Sequence, residues 1–238
     1  MFNINSFVAH LEHQVNTSTL LNPYLLPHRS DNLRAYLQAI FSQRGRRVLI
    51  IGEALGYRGG LHTGIPFSSA RLVHESTHPF WRNLRRQLMV DCSVSEATAS
   101  IVWTYLANRR RMPLFWNALP FHPHRAGEAA SNRTPTAAEV SSGQPYLKAL
   151  AEGWQPDLIA GVGSKGYQAA LQALPGSRIV QLRHPSYGGK QAFCQGMDRL
   201  LHLSASAYRR PRLHCPPPPL LPTPASSCRT TAALPPLH

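Results

Sequence analysis

The chain of 238 residues is 43% hydrophobic, which is enough to form one domain with a sizeable buried core. Its 25 Lys+Arg outnumber its 11 Asp+Glu, and the formal net charge of +14 favours a polyanionic partner, nucleic acid first and an acidic membrane surface second. No apolar run approaches the ~20 residues of a transmembrane helix, and the N-terminus lacks the basic region of a signal peptide, so we expect a cytoplasmic protein.

The four cysteines are widely separated along the chain: Cys92, Cys194, Cys215 and Cys228. The absence of any Cys-x-x-Cys pair argues against a disulfide framework and against a zinc or iron–sulfur site. His122 and His124 have no Cys or acidic residue at ligand spacing. We therefore expect free thiols and no metal or other cofactor.

Two amphipathic helices are predicted before the first strand. The first lies near residues 5–14, and the second covers about residues 32–43, where apolar residues recur at helical spacing. Ser30 or Asp31 is the expected N-cap of the second helix. Both helices are expected to pack on the rest of the domain.

A continuous apolar run at residues 48–51 is stopped by Gly52. Such a run predicts a strand buried on both faces of a parallel sheet. The next segment, residues 52–64, holds five glycines and leads into Ile65-Pro66-Phe67. Ligands in open α/β sheets bind beyond the carboxyl ends of the strands, so we predict a ligand site in this loop, where glycine lets the backbone approach closely.

Five further helices and three further strands are predicted after this loop. The helices lie at about residues 79–90, 95–108, 137–154, 164–174 and 190–208, and the strands at 114–121, 157–163 and 178–183. Glu96 is expected in the first turn of its helix, where an acid offsets the helix dipole, and Ser164 is expected as an N-cap. Thr136 and Glu139 form a capping box, and their helix is expected to break near Gly143.

Strands that alternate with helices indicate a parallel sheet with right-handed crossovers. We predict an α/β fold, specifically a three-layer α/β/α sandwich with a central four-stranded parallel sheet, formed by residues 1–208. From Arg209 the chain is basic and then rich in Pro, Ser and Thr. Residues 209–238 are therefore expected to be a disordered tail.

Three residues stand at or near the carboxyl ends of predicted strands. Phe67 closes the glycine loop, Asn117 interrupts the apolar second strand, and His184 follows the fourth strand. Taken singly, each has an ordinary explanation, as a core phenylalanine, a turn-forming asparagine and a backbone-capping histidine. Because the carboxyl ends of parallel strands meet at one edge of a sheet, we expect the three to lie close together.

The sequence around these residues resembles the uracil-DNA glycosylase superfamily over about residues 47–200. GEALG and GIPF are similar to the GEAPG and GxPF of its first motif, WNALPFHPH to its second-strand asparagine segment, and RHPS to its closing histidine motif. The chain is most similar to the branches that begin GEAPG, but it lacks the iron–sulfur cysteines of some of them. The resemblance implies the same α/β/α fold and DNA as the partner.

The resemblance also implies roles for individual residues. Phe67 would stack on a base flipped out of DNA. Asn117 would accept from uracil N3–H and donate to O4, a pattern that cytosine does not match. His184 would donate to uracil O2 while negative charge develops on the departing base. The other residues expected to line the base-binding pocket are Gly52, Ala54 and Gly56.

The sequence leaves open which group activates water. Other branches carry Asp or Asn two residues after the first glycine of the motif, where this chain has Ala54. The adjacent Glu53 is our catalytic candidate, but strand alternation points it to the other face of the sheet unless the loop turns it inward, and bonding to loop N–H groups explains it equally well. In relatives that exclude thymine, a bulky side chain covers uracil C5 from the position of Gly56, and Tyr57 is the neighbouring substitute here.

Four residues after the histidine are expected to contact DNA: Ser186, Tyr187, Gly188 and Lys190. They stand where relatives insert a loop into the minor groove. Tyr187 beside a flexible glycine would act as a wedge, and Lys190 would contact a phosphate. An ordinary strand-to-helix turn with an exposed lysine is the alternative.

We therefore expect a monomeric enzyme that hydrolyses the N-glycosidic bond of uracil in single- or double-stranded DNA, without a membrane partner. The first alternative is a non-catalytic protein of the same fold that binds uracil or an abasic site, motivated by Ala54. The second is a nucleotide-binding α/β domain, but neither GxGxxG nor GxxxxGK[ST] follows the first strand.

Overall fold

The computed structural model describes residues 2–202. The helices are α1 (Ile4–Glu12), α2 (Pro27–Phe41), α3 (Gly60–Thr63), α4 (Ala70–Glu75), α5 (Pro79–Leu84), α6 (Ala97–Leu106), α7 (Ala137–Trp154), α8 (Gly163–Ala173) and α9 (Lys190–His202). The strands are β1 (Leu20–Leu21), β2 (Val48–Ala54), β3 (Leu114–Leu119), β4 (His122–Pro123), β5 (Leu158–Val162) and β6 (Ile179–Leu182). Two short 3₁₀ helices cover Pro23–Leu25 and Arg85–Gln87.

The central sheet has four parallel strands in the order β3-β2-β5-β6, which confirms the predicted fold class. Residues 48–51 of β2 and the whole of β5 are apolar and buried because both faces of the sheet are covered there. Helices α7 and α8 pack on one face. On the other face, the Phe115 N–H donates to Tyr36 Oη of α2 at 2.9 Å, and the Phe115 ring packs against Trp103 of α6.

A second, two-stranded antiparallel sheet pairs β1 with β4. It joins the N-terminal segment to the chain that leaves β3. His124 N–H donates to Thr19 O at 2.9 Å, and Arg133 donates to the same oxygen at 2.9 Å. Strands of two residues are too short for an alternating pattern, so this sheet could not be predicted from the sequence.

Several predicted boundaries were wrong. Helix α2 begins at Pro27, with Leu26 rather than Ser30 or Asp31 at the N-cap, because a proline at the first helical position needs no N–H partner. Strand β2 does not stop at Gly52 but continues to Ala54. The loop that was expected from Gly52 therefore starts two residues later.

Two helix starts and one break also differ from expectation. Glu96 is the N-cap of α6 rather than a first-turn residue, and α8 starts at Gly163 with Val162 as N-cap, so Ser164 is not the cap. Helix α7 has the predicted capping box but runs unbroken past Gly143. A Cβ at Gly143 would collide with Ala118 O, so this glycine lets α7 lie directly on β3.

The remaining predictions concern segments beyond the sheet. Helix α9 is described to His202, and the predicted tail, residues 209–238, lies outside the described residues, as do Cys215 and Cys228. Cys92 and Cys194 are free thiols, as predicted. Among the helices of residues 2–202, none combines the length and the apolar character needed to cross a membrane.

Candidate active site

A cleft of about 460 Å³ opens at the carboxyl edge of the central sheet. The predicted site residues that line it are Gly52, Glu53, Ala54, Gly56, Phe67, Asn117, His184, Ser186 and Tyr187. Gly188 and Lys190 do not line it. The structure thus brings together residues that are up to 135 positions apart in the sequence, Gly52 to Tyr187, at the edge where the strands end.

Asn117 is held at the bottom of the cleft by β3 and is only 4% exposed. It pairs in register with Gly52 of β2, and a Cβ on Gly52 would collide with Asn117 Oδ1. The glycine therefore makes room for the amide. Within residues 2–202 no group forms a hydrogen bond with this amide, so both its donor and its acceptor are available to a ligand.

The Phe67 ring also lies next to Gly52. A Cβ on Gly52 would lie 2.7 Å from its Cζ, and its ring packs against Phe115 with centroids 5.0 Å apart. The backbone of Phe67 has φ 54°, a left-handed conformation that is rare for a bulky residue. Trp103 Nε1 donates to Phe67 O at 2.9 Å and helps to hold it there. Such local strain is typical of ligand-binding positions.

A buried polar network fixes the loop that presents Phe67. Asn32 donates to Thr63 O at 2.9 Å and to Met89 O at 2.8 Å, which joins α2 to two loop segments. Ser68 donates to Ile65 O at 2.7 Å. Because these buried groups are all paired, the loop is rigid before any ligand binds.

His184 lies half-buried on the opposite side of the cleft, after β6. The Ser186 N–H donates to His184 Nδ1 at 3.2 Å, so in the neutral ring the proton is on Nε2. Burial, and then the charge of Arg183, lower the pKa of His184 below its ordinary value. The residue is therefore a neutral imidazole at pH 7 with its Nε2–H free to donate.

Glu53 also lines the cleft, next to Gly52 on β2. Its carboxyl is close enough to Lys165 of α8 for that charge to affect its pKa. Burial raises the pKa of Glu53, and the Lys165 charge partly offsets that shift. Its Oε1 is buried without a hydrogen-bond partner in the described part of the chain, so it does not bind loop N–H groups through that atom.

The turn after His184 presents Tyr187 to solvent. Its side chain is 96% exposed and its φ is 53°, and Gly188 follows with φ 74°. Ser186 contacts other residues of the cleft. Its Oγ lies 3.2 Å from Thr98 Oγ1, and its N–H donates to His184 Nδ1. Lys190 is the exposed first residue of α9.

Sequence reasoning missed a further group of cleft residues: Glu96, Thr98, Asn132, Arg133 and Thr134. Glu96 is the most unusual of them, because burial raises its pKa to about 7, although the nearby Ala99 N–H partly opposes the shift. In the sequence it had the appearance of a routine acid at a helix start. Only its tertiary position distinguishes it.

Tyr57, His62 and His122 lie beside the cleft. The Tyr57 ring packs edge-on against His62 with centroids 5.2 Å apart and is not part of the cleft lining. His122 is buried with Nδ1 2.8 Å from Leu55 O. Across residues 2–202, no group of three His, Cys, Asp or Glu side chains is arranged to hold a metal ion.

A profile of the uracil DNA glycosylase superfamily matches residues 40–200. The chain belongs to this superfamily. The matched region runs from the end of α2 to α9 and includes the whole cleft. The resemblance stated from the motifs is thereby confirmed.

One solved structure has the same fold as this chain. The chain is similar to the crystal structure of wild-type SMUG2 from Pedobacter heparinus, with a TM-score of 0.56 and 14% sequence identity. The match covers 86% of this chain and 96% of that one. No protein in the curated comparison matches the sequence.

Proposed function

We propose that this superfamily member removes uracil from DNA, by hydrolysing the bond between the base and the sugar of a flipped-out nucleotide. The observation that carries the proposal is the convergence of Phe67, Asn117 and His184 on one cleft, where the Asn117 amide and His184 Nε2 make no hydrogen bond to any group of residues 2–202. A base inside a duplex cannot reach such a cleft, so the nucleotide must first leave the stack.

Uracil recognition follows from the Asn117 amide. Its Oδ1 would accept from uracil N3–H and its Nδ2 would donate to O4, with the base resting on the Phe67 ring. Cytosine has an acceptor at N3 and a donor at N4, so both bonds would be replaced by mismatches costing about 1–3 kcal/mol each. The burial of Asn117, which is only 4% exposed, supports this selectivity, because a mismatched polar group there cannot bond to bulk water instead.

His184 would act on the leaving group. As the C1′–N1 bond breaks, its electron pair goes to uracil and negative charge appears on O2. The Nε2–H of a neutral His184 would donate to that oxygen, and this bond strengthens as the charge develops. The Ser186 N–H at Nδ1 supports this role, since it fixes the tautomer that places the proton on Nε2.

Water would complete the reaction by adding its oxygen to C1′ and losing a proton, which gives an abasic sugar and free uracil. Ala54 offers no polar group for this step. We assign proton removal from the water to Glu53. Its buried Oε1 has no hydrogen-bond partner within the described residues, and burial raises its pKa toward the working pH, as suits a general base.

The direct test is release of free uracil from DNA with a single deoxyuridine. With substrate in excess, the proposal requires several turnovers per protein molecule and alkali-cleavable abasic sites in equal amount. Parallel duplexes with hypoxanthine, xanthine and thymine define the range of bases. Tight binding without turnover would instead establish the non-catalytic uracil-binding protein that Ala54 suggested.

Replacing Glu53 with glutamine should lower uracil excision about tenfold. The effect is expected below the ~10²-fold often contributed by a general base, because much of the barrier is bond breaking rather than water attack. Single-turnover rates at saturating protein measure it. Glu75→Gln makes the same change at an exposed glutamate of α4 and is the matched control. An unchanged rate in Glu53→Gln would assign the water to another group.

Replacing Tyr187 with alanine should lower uracil excision from duplex DNA about tenfold and from single-stranded DNA less than about twofold. A wedge offsets the unstacking cost of a few kcal/mol per base step, and this cost is small in a single strand. Val15→Ala, another large exposed side chain but remote from the cleft lining, is the control. Equal losses on both substrates would contradict a wedge.

A further inference from the structure

The carboxyl group of Glu96 occupies space left by two glycines of the loop after β2. A Cβ on Gly56 would lie 2.9 Å from its Oε1, and a Cβ on Gly59 would lie 2.5 Å from its Oε2. Neither glycine has φ in the left-handed range. The absence of a side chain at these two positions leaves room for the Glu96 carboxyl, and at Gly59 a Cβ would also lie 2.7 Å from Ser68 O.

The N-terminal end of α6 holds this carboxyl on the cleft. Thr98 Oγ1 lies 3.2 Å from Ser186 Oγ, which joins the first turn of α6 to the turn after His184. Glu96 lines the same cleft as Asn117. Its carboxyl makes no ion pair within residues 2–202.

The proposed pose decides which edge of the base meets Glu96. Asn117 takes N3–H and O4, and His184 takes O2, so C5 points away from His184, next to O4. The sheet order places β3 and β6 at opposite edges, and the loop after β2 bonds to the chain beyond β3. Leu55 N–H donates to Phe121 O at 3.2 Å, and Tyr57 N–H donates to Asn132 Oδ1 at 2.8 Å. C5 therefore faces the Gly56 side of the cleft.

We propose that Glu96 is the specificity-determining residue that closes the base pocket against a substituent at C5. The inference rests on the proposed function and adds to it the exclusion of thymine. A 5-methyl group would displace water from the carboxyl and offer it no hydrogen bond in return. Tyr57 does not take this role, because its ring packs against His62 outside the cleft lining.

The test compares uracil and thymine, each opposite guanine in the same duplex. Glu96→Ala should raise the kcat/KM for thymine at least about tenfold and change that for uracil less than about threefold, as expected when a pocket gains room for one methyl group. Glu96→Gln should exclude thymine as the wild type does, because the side chain keeps its size. Glu75→Ala, an exposed glutamate on α4, is the matched control.

Two results would overturn the proposal. One is a Glu96→Ala protein that melts at the wild-type temperature and excises uracil normally but gains no thymine activity. The other is an equal loss of uracil excision in Glu96→Ala and Glu96→Gln with an altered pH profile, which would assign Glu96 to water activation. If Glu96→Ala does not fold, Glu96→Ser provides the same comparison, since it also shortens the side chain.

Binding of free bases distinguishes a failure of this proposal from a failure of the proposed function. If the wild type releases no uracil from DNA, catalysis fails, and binding of free uracil and free thymine is then followed through the His184 ring signals by NMR. Binding of uracil alone by the wild type, and of both bases by Glu96→Ala, would support the role of Glu96. Binding of neither base by either protein would overturn it.

Discussion

Replacing Asn117 with aspartate should lower uracil excision at pH 8 by about 10³-fold. The ionised carboxylate accepts hydrogen bonds but donates none, so it would face uracil O4 with an unpaired oxygen in a site that is only 4% exposed. A site built to hydrogen-bond one polar pattern rejects another by similar or larger factors. Single-turnover excision from a deoxyuridine duplex measures the loss.

The pH dependence of Asn117→Asp makes this test specific. Burial raises the pKa of a carboxyl, and a protonated aspartate offers one donor and one acceptor, as asparagine does. Activity should therefore recover as the pH falls, whereas a merely disrupted site would not recover. Cytosine N4–H₂ can donate to the new carboxylate, so a weak cytosine activity is expected as well.

Asn132→Asp is the matched control for this substitution. Asn132 lies in the same cleft and uses only its Oδ1, which accepts from Tyr57 N–H, and aspartate retains that acceptor. It should excise uracil at nearly the wild-type rate. A wild-type rate in Asn117→Asp would mean that Asn117 does not read the base.

The features of the fold that depend on local pattern could be predicted from the sequence. The apolar strands β2, β3, β5 and β6 and the capping box of α7 follow from runs of residues whose spacing fixes their structure. Features set by tertiary contact could not be predicted in this way. Gly143 would break an isolated helix, but here it allows α7 to lie against Ala118 O of β3.

The same division applies to the candidate site. Phe67, Asn117 and His184 were found because each stands in a recognisable motif at or near the carboxyl end of a strand. Glu96 carries no such signal, because its significance depends on two glycines about 40 positions earlier in the chain that fold beneath its carboxyl. The two glycines can be read from the sequence, but a glycine indicates a need for backbone freedom as readily as a need for space beside another side chain.

Replacing His184 with alanine should lower uracil excision by about 10²–10³-fold and leave DNA affinity nearly unchanged. The Nε2–H acts on charge that exists mainly in the transition state, so its loss changes the rate and not the binding of the substrate. Single-turnover rates give the first quantity. Affinity is measured on the same duplex with a 2′-fluorinated deoxyuridine, which resists bond cleavage.

The controls for His184 separate donation from structure. His74→Ala removes an exposed histidine of α4 and should have no effect, whereas His184→Gln keeps an N–H donor and should restore part of the rate. Since burial, and then the charge of Arg183, lower the pKa of His184, the loss of wild-type rate through protonation of this ring should begin at a lower pH than for an ordinary histidine. If His184→Ala loses DNA affinity in proportion to rate, the histidine supports the turn that carries Tyr187 and does not stabilise the leaving uracil.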